Sequence, residues 1–257
     1  MYSPELVSVI MPAYNASRFV IEAIASVRSQ TYPAWELLVV NDCSKDNTSA
    51  LVRAQTELDP RVKLLEHQTN LGPAEARNTA VRAATGRYVA FLDSDDFWLP
   101  EKLERQLRFM QSTNTGLCYT QYRRITEDGS HVGQIVPVEP QITYKQLLKN
   151  TTIATSTTIV DRELTGPFSL VPGYGYDDFI LWLDLLKRGV KAHALLEDLV
   201  RYRVVTGSVS RQRFRAAKWV WNIYRKTQGM GPIYSAWCLS GYAWRAFRKH
   251  RTLEKRD

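Results

Sequence analysis

No run of about 18 consecutive apolar residues occurs in this chain of 257 residues, so an ordinary transmembrane helix is not expected. Cysteine is scarce. Cys43, Cys118 and Cys238 are odd in number and far apart, which excludes a disulfide framework or a zinc-ligand spacing and favours a reducing compartment. The opening MYSPEL lacks the basic and apolar regions of a secretory signal, so the expectation is a cytoplasmic protein. Histidine is sparse too: His67, His131, His193 and His250 are scattered and match no motif. Internal repeats and low-complexity tracts are missing. Excess charge is confined to one end. The net +8 arises because residues 213–257 carry eleven Lys and Arg against two acids, leaving the body near neutral.

What is present reads as one sizeable α/β domain with an appendage, residues 1–212 and 213–257. Residues 6–11, 36–42, 62–66 and 88–92 are β-rich apolar runs. Helical patterns separate them at 18–30, 48–56 and 72–84, the last with Pro73 suited to a first turn. That rhythm predicts a mostly parallel central sheet with helices on both faces, in which ligands gather at the carboxyl ends of the strands. Further on, strands are predicted at 116–124, 131–137, 155–160 and 190–196, and helices at 144–148 and 177–188.

The strand ends carry the candidate chemistry. Pro12-Ala13-Tyr14-Asn15 follows the first strand, Asn41-Asp42 the second, and Asp93-Ser94-Asp95-Asp96 the fourth. Two carboxylates at i and i+2 can approach one hard divalent cation, Mg²⁺ or Mn²⁺, that shares its oxygen ligands with substrate phosphates. A solvated turn or a cap for the helix starting near Glu101 is the competing reading. A second acid pair, Asp177-Asp178, follows the glycine-rich Pro172-Gly173-Tyr174-Gly175-Tyr176 and either caps the next helix or supplies a base.

Residues 7–48, the segments Asn70-Leu71-Gly72 and Ala76-Arg77-Asn78, and residues 86–96 closely resemble, in order, three blocks of the family 2 glycosyltransferases, which adopt the GT-A fold. The resemblance implies an inverting transfer of a sugar from a nucleotide diphosphate, expected to be a UDP-sugar, to a sugar or lipid-linked hydroxyl. It implies a donor site of Pro12, Tyr14, Asn15, Asp42, Arg77, Asp93 and Ser94, in which Tyr14 packs on the base and Asp42 accepts a hydrogen bond from it. Asp95, with Asp93, would hold the metal. Asp178 would be the catalytic base, with Asp177 beside it. Trp182 matches a downstream aromatic. Arg203, Ser208, Ser210 and Arg211 are candidates for diphosphate or acceptor contacts, and Val205 stands near a place where the family often has histidine. Cys43 replaces a frequent glycine.

A nucleotidyltransferase is a rival, but its phosphate loop is usually glycine-rich, and the first turn here has no glycine. A non-catalytic membrane-tethered scaffold is the other, against which the intact acids speak. A nucleic-acid binder would explain the charge and not the acids. The basic tail holds Trp219, Trp221, Trp237 and Trp244, with aromatics at helical spacing. It suits either a membrane surface, expected to be the cytoplasmic face of the inner membrane, or packing on the body.

Overall fold

The computed structural model describes residues 2–150, 152–205 and 213–254. Strands β1 (Ser3–Ala13), β2 (Trp35–Asn41), β3 (Val62–Glu66) and β4 (Gly86–Phe91) alternate with helices α1 (Val20–Arg28), α2 (Thr48–Leu58) and α3 (Pro73–Ala83). Then come β5 (Phe97–Trp98), α4 (Lys102–Thr113), β6 (Leu117–Ile125), β7 (Val132–Val136), β8 (Gln141–Ile142) and α5 (Tyr144–Leu147). The chain continues through a 3₁₀ turn (Thr155–Thr157), β9 (Ile159–Asp161), α6 (Arg162–Thr165), α7 (Asp177–Lys187) and β10 (Ala192–Arg203). Helices α8 (Arg213–Asn222) and α9 (Pro232–Glu254) follow, with a π-helical turn (Ile223–Thr227) after α8.

The strands form one sheet in the order β3-β2-β1-β4-β9-β6-β10-β5, with β7 on β6 and β8 on β10. Pairing from β3 to β4 is parallel, and beyond β4 the sheet is mixed, because β9 runs antiparallel to both β4 and β6. The central strands read as unbroken apolar runs because both faces are covered. Alternate residues divide between two cores: Ile10, Leu38, Val40, Val89 and Phe91 face α3 and α7, while Val9, Met11, Leu37, Val39 and Ala90 face α1 and α4.

This topology positions the site. The chain passes from β1 to β2 and β3 on one side, then returns to β4 on the other. The carboxyl ends of β1 and β4 therefore open at a switch point, where α/β sheets bind ligands. Pro12 is tolerated in β1 because the last β4 partner lies opposite Ile10, beyond which the ladder on that side has ended.

The structure corrects two sequence expectations. Residues 155–160 are not one strand: Thr155–Thr157 form a 3₁₀ turn and β9 begins at Ile159. The Thr157 and Thr158 hydroxyls bond back to the carbonyls of Ala154 and Thr155, at 2.6 and 2.7 Å, which competes with a ladder. The strand expected at 190–196 runs on to Arg203, passing the charged Glu197-Asp198 through register shifts around Asp198.

The basic C-terminal helices share the core of the body. Val220, Ile223, Tyr224, Met230 and Cys238 are buried in the cluster that contains Phe91 and Trp182. Gln228 donates to Asp184 of α7 at 3.0 Å and accepts from Tyr144 at 3.1 Å.

Candidate active site

The loop after β2 is built around Asp42. This buried carboxylate accepts hydrogen bonds from the Leu71 and Gly72 amides, at 2.9 and 2.8 Å, and lies 2.7 Å from His67 Nδ1. His67 Nε2 lies 2.9 Å from the Thr79 hydroxyl. Asp42 thus fixes the entry to α3, whose N-cap Gly72 has φ +85° and whose first residue is Pro73. Most of its acceptor capacity is spent inside the protein.

The loop after β1 is stitched to the loop after β2. Asn15 accepts from the Lys45 amide at 2.9 Å, its own amide donates to Ser44 at 3.0 Å, and the Asp42 amide donates to the Ala13 carbonyl. Tyr14 projects from this frame 48% exposed, beside the half-buried Pro12. Cys43 sits at φ +59°, a left-handed conformation that glycine adopts without strain. Cys43→Gly is expected to raise stability by no more than about 1 kcal/mol, since relief of left-handed strain is offset by the entropy of glycine. Thermal denaturation checks this.

From the second turn of α3, the buried Arg77 reaches two acidic segments. Its guanidinium donates to Asp93 at 2.5 Å and to Asp177 at 3.0 Å. Burial works against its charge, but Asp93, Asp177 and Asp178 overcome that and raise its pKa. A second link runs through the 3₁₀ turn. Thr155 donates to Asp178 at 2.6 Å, while Ser156 donates to Asp96 at 2.5 Å and accepts from the Asp93 amide at 3.1 Å. Trp98 of β5 holds the turn from below, donating to the Ser156 carbonyl at 2.7 Å. The loop after β4 and the start of α7 are thereby joined on both sides.

Within the loop after β4, the acids differ. Asp96 is internal, accepting from Ser156 and from the Arg203 amide at 2.9 Å, and burial raises its pKa well above the usual range. Asp95 receives no hydrogen bond from another described residue, and burial, then Asp93, pushes its carboxyl up to about 6. Ser94 lies half-buried between Asp93 and Asp95. None of these acids caps α4, because β5 intervenes and Glu101 occupies the cap position. Five carboxylates, Asp93, Asp95, Asp96, Asp177 and Asp178, thus meet two guanidinium groups, Arg77 and Arg203. Among the described residues no three His, Cys, Asp or Glu form a metal cage by themselves. The oxygen-only donors and surplus negative charge fit a hard cation held in part by substrate phosphates.

At the start of α7, the two acids have different partners. Asp177 is committed to Arg77. Asp178 accepts from Thr155 and, at 2.8 Å, from the Phe179 amide, so it does satisfy a helix N-terminus. Burial, then Asp177, still raises its pKa.

Two candidates are corrected. Arg203 is not available to a diphosphate: its side chain donates to the carbonyls of Asp95 and Glu127, both at 2.9 Å, pairs with Glu22, and stacks over Phe19. It braces the acidic loop. Trp182 is not a ligand contact but a core residue, 1% exposed and edge-on to Phe91. Ser208, Ser210 and Arg211 lie outside the described residues. His67, Thr155 and Ser156, which hold the site together, carry no recognisable sequence signal.

Comparison with known proteins matches the chain to an enzyme family. Residues 8–168 match the family model for glycosyl transferase family 2. The chain is 38% identical over 244 residues to the Bacillus subtilis protein TuaG, a glycosyltransferase named for teichuronic acid biosynthesis, covering 95% of this chain and 97% of that one. It is 42% identical over 219 residues to the Escherichia coli UDP-Glc:α-D-GlcNAc-diphosphoundecaprenol β-1,3-glucosyltransferase WfgD, covering 85% of each. The fold superposes on Staphylococcus aureus TarS in complex with UDP-GlcNAc with a TM-score of 0.71 at 20% identity, covering 94% of this chain and 72% of that one. With Asp93-Ser94-Asp95 at the switch point of a GT-A fold, the chain belongs to glycosyl transferase family 2.

Proposed function

We propose that the chain transfers a sugar from a UDP-sugar to a hydroxyl of a lipid-linked acceptor, with inversion at the anomeric carbon, in the assembly of a bacterial surface polysaccharide. The observation that carries this reading is the Arg77 bridge, which holds Asp93 and Asp177 on one guanidinium and so brings the acids after β4 beside those of α7. TuaG, named for teichuronic acid biosynthesis, and WfgD, named for glucosyl transfer from UDP-Glc to a diphosphoundecaprenol-linked sugar, support the donor and acceptor classes.

In this reading Tyr14 stacks on the base, Pro12, Asn15 and Ser94 line the nucleoside, and Asp42 sets the α3 entry while one acceptor position remains for the base. Asp95, with Asp93, would hold Mg²⁺ or Mn²⁺, which supplies Lewis-acid neutralisation of the departing diphosphate. Asp178 takes the proton of the acceptor hydroxyl as its oxygen bonds the anomeric carbon. The bond from that carbon to the phosphate oxygen breaks on the opposite face, and its electron pair leaves with UDP. No covalent sugar–enzyme intermediate is needed. Thr155 and the Phe179 amide orient Asp178 for that step.

No described helix is long and apolar enough to cross a membrane. Attachment to the cytoplasmic face of the inner membrane is assigned to α9, whose outer side exposes Ile233 (87%), Tyr234 and Trp237 (64%) amid the basic tail. Combined Ile233→Ser and Trp237→Ser substitution is expected to reduce co-flotation with anionic vesicles. Undiminished flotation removes this face from the role.

The transfer is tested by screening UDP-glucose and UDP-N-acetylglucosamine for Mn²⁺-dependent UDP release, with an N-acetylglucosaminyl diphospholipid as acceptor. Acceptor-stimulated release is expected. Release of a nucleoside monophosphate instead would contradict the assignment.

A further inference from the structure

The segment that delivers Asp177 and Asp178 is held at its start by Asn78, which donates to the Leu170 carbonyl at 2.9 Å and accepts from the Leu170 amide at 2.7 Å. From there it crosses two glycines of positive φ, Gly173 (+93°) and Gly175 (+76°). A Cβ at Gly173 would meet nothing, whereas one at Gly175 would stand 2.5 Å from the indole of Trp219. Trp219 belongs to α8. Its ring also meets Tyr176 edge-on, with centroids 5.6 Å apart at 85°. Tyr242 of α9 stands beside the Tyr176 hydroxyl, whose pKa is raised by burial and then by this neighbour. The C-terminal helices therefore grip the residues directly before the acid pair, and α8 itself is anchored by the buried Val220.

We propose that Trp219 is a positioning residue for Asp178. Seated on Gly175 and against Tyr176, it holds the first turn of α7 where Asp177 meets Arg77 and Asp178 meets Thr155. Two glycines leave this approach with little conformational restraint of its own, so the restraint comes from the indole. The tail then contributes to turnover as well as to attachment. The inference rests on Asp178 being the base. Misplacing a catalytic group by about 1 Å lowers rate far more than it lowers binding of a ligand held elsewhere.

The test compares Trp219→Ala and Trp219→Phe in the full chain, with Asp178→Asn alongside. Trp219→Ala is expected to lower kcat for UDP release from UDP-glucose by about 10–100-fold, with UDP affinity within about twofold, while Trp219→Phe recovers most of the rate. Amide hydrogen exchange over residues 173–180 should quicken in Trp219→Ala, and that over 86–98 should not. The proposal is overturned if Trp219→Ala keeps the wild-type kcat, if kcat and UDP affinity fall together, or if exchange over 173–180 is unchanged. Full turnover in Asp178→Asn sinks the base assignment and the inference resting on it. A dead Asp178→Asn beside a fully active Trp219→Ala sinks the inference alone.

Discussion

Asp178→Asn is expected to lower kcat by about 10²–10⁴-fold while leaving UDP affinity within about twofold. The amide has nearly the volume of the carboxylate and can keep one of the hydrogen bonds from Thr155 or the Phe179 amide. It has no basic lone pair for an acceptor proton. The ion pairs of Arg77 run to Asp93 and Asp177 and survive the change, so the framework around the donor is retained. A pH profile sharpens the test. Burial, then Asp177, raises the Asp178 pKa, against the opposing Thr155, Arg77 and Phe179 contributions. A base is active only when deprotonated. Wild-type kcat/KM is therefore expected to fall, as pH is lowered, at a higher pH than an unperturbed aspartate near 3.9 would give. That limb should be missing from the residual activity of Asp178→Asn.

Arg77→Met is expected to cost about 3–5 kcal/mol of stability, because it strips a buried set of carboxylates of the charge that balances them. At about 2–4 °C per kcal/mol for a chain of this size, that is a fall in Tm of about 6–20 °C. Three acids respond together, since Asp93, Asp177 and Asp178 all act on the Arg77 charge. The Arg77 Nε already lacks a partner among the described residues, so the bridge depends on its two terminal nitrogens. Adding Asp177→Asn should recover part of the loss by removing one unbalanced carboxylate, as calorimetry of the single and double variants would read.

Much of the first hundred residues was legible because local and global preferences agree there. The run at 36–42 is apolar because two layers of helices cover the sheet there, and Asp93 and Asp95 stand at a strand end where the topology reverses. The second half was harder to read. The threonine-rich 155–160 has strand propensity, but its hydroxyls turn back onto carbonyls and carboxylates. The same effect hid Thr155 and Ser156, which no spacing marks as part of a site. Arg203 and Trp182 lie near the right place in sequence but face inward, because a long strand and a core helix place them there. Composition separated the basic tail from the body, whereas Val220, Tyr224 and Cys238 pack it into the same core.

The central claim is that Asp95 and the donor diphosphate hold one divalent cation between them, facing Asp178. It is tested most directly by calorimetric titration of UDP with and without Mn²⁺, in the wild-type chain and in Asp95→Asn. Mn²⁺ should tighten UDP binding at least about tenfold in the wild type and have no effect in Asp95→Asn. Equal UDP affinity with and without Mn²⁺ in the wild type, or an undiminished Mn²⁺ effect in Asp95→Asn, would contradict the account.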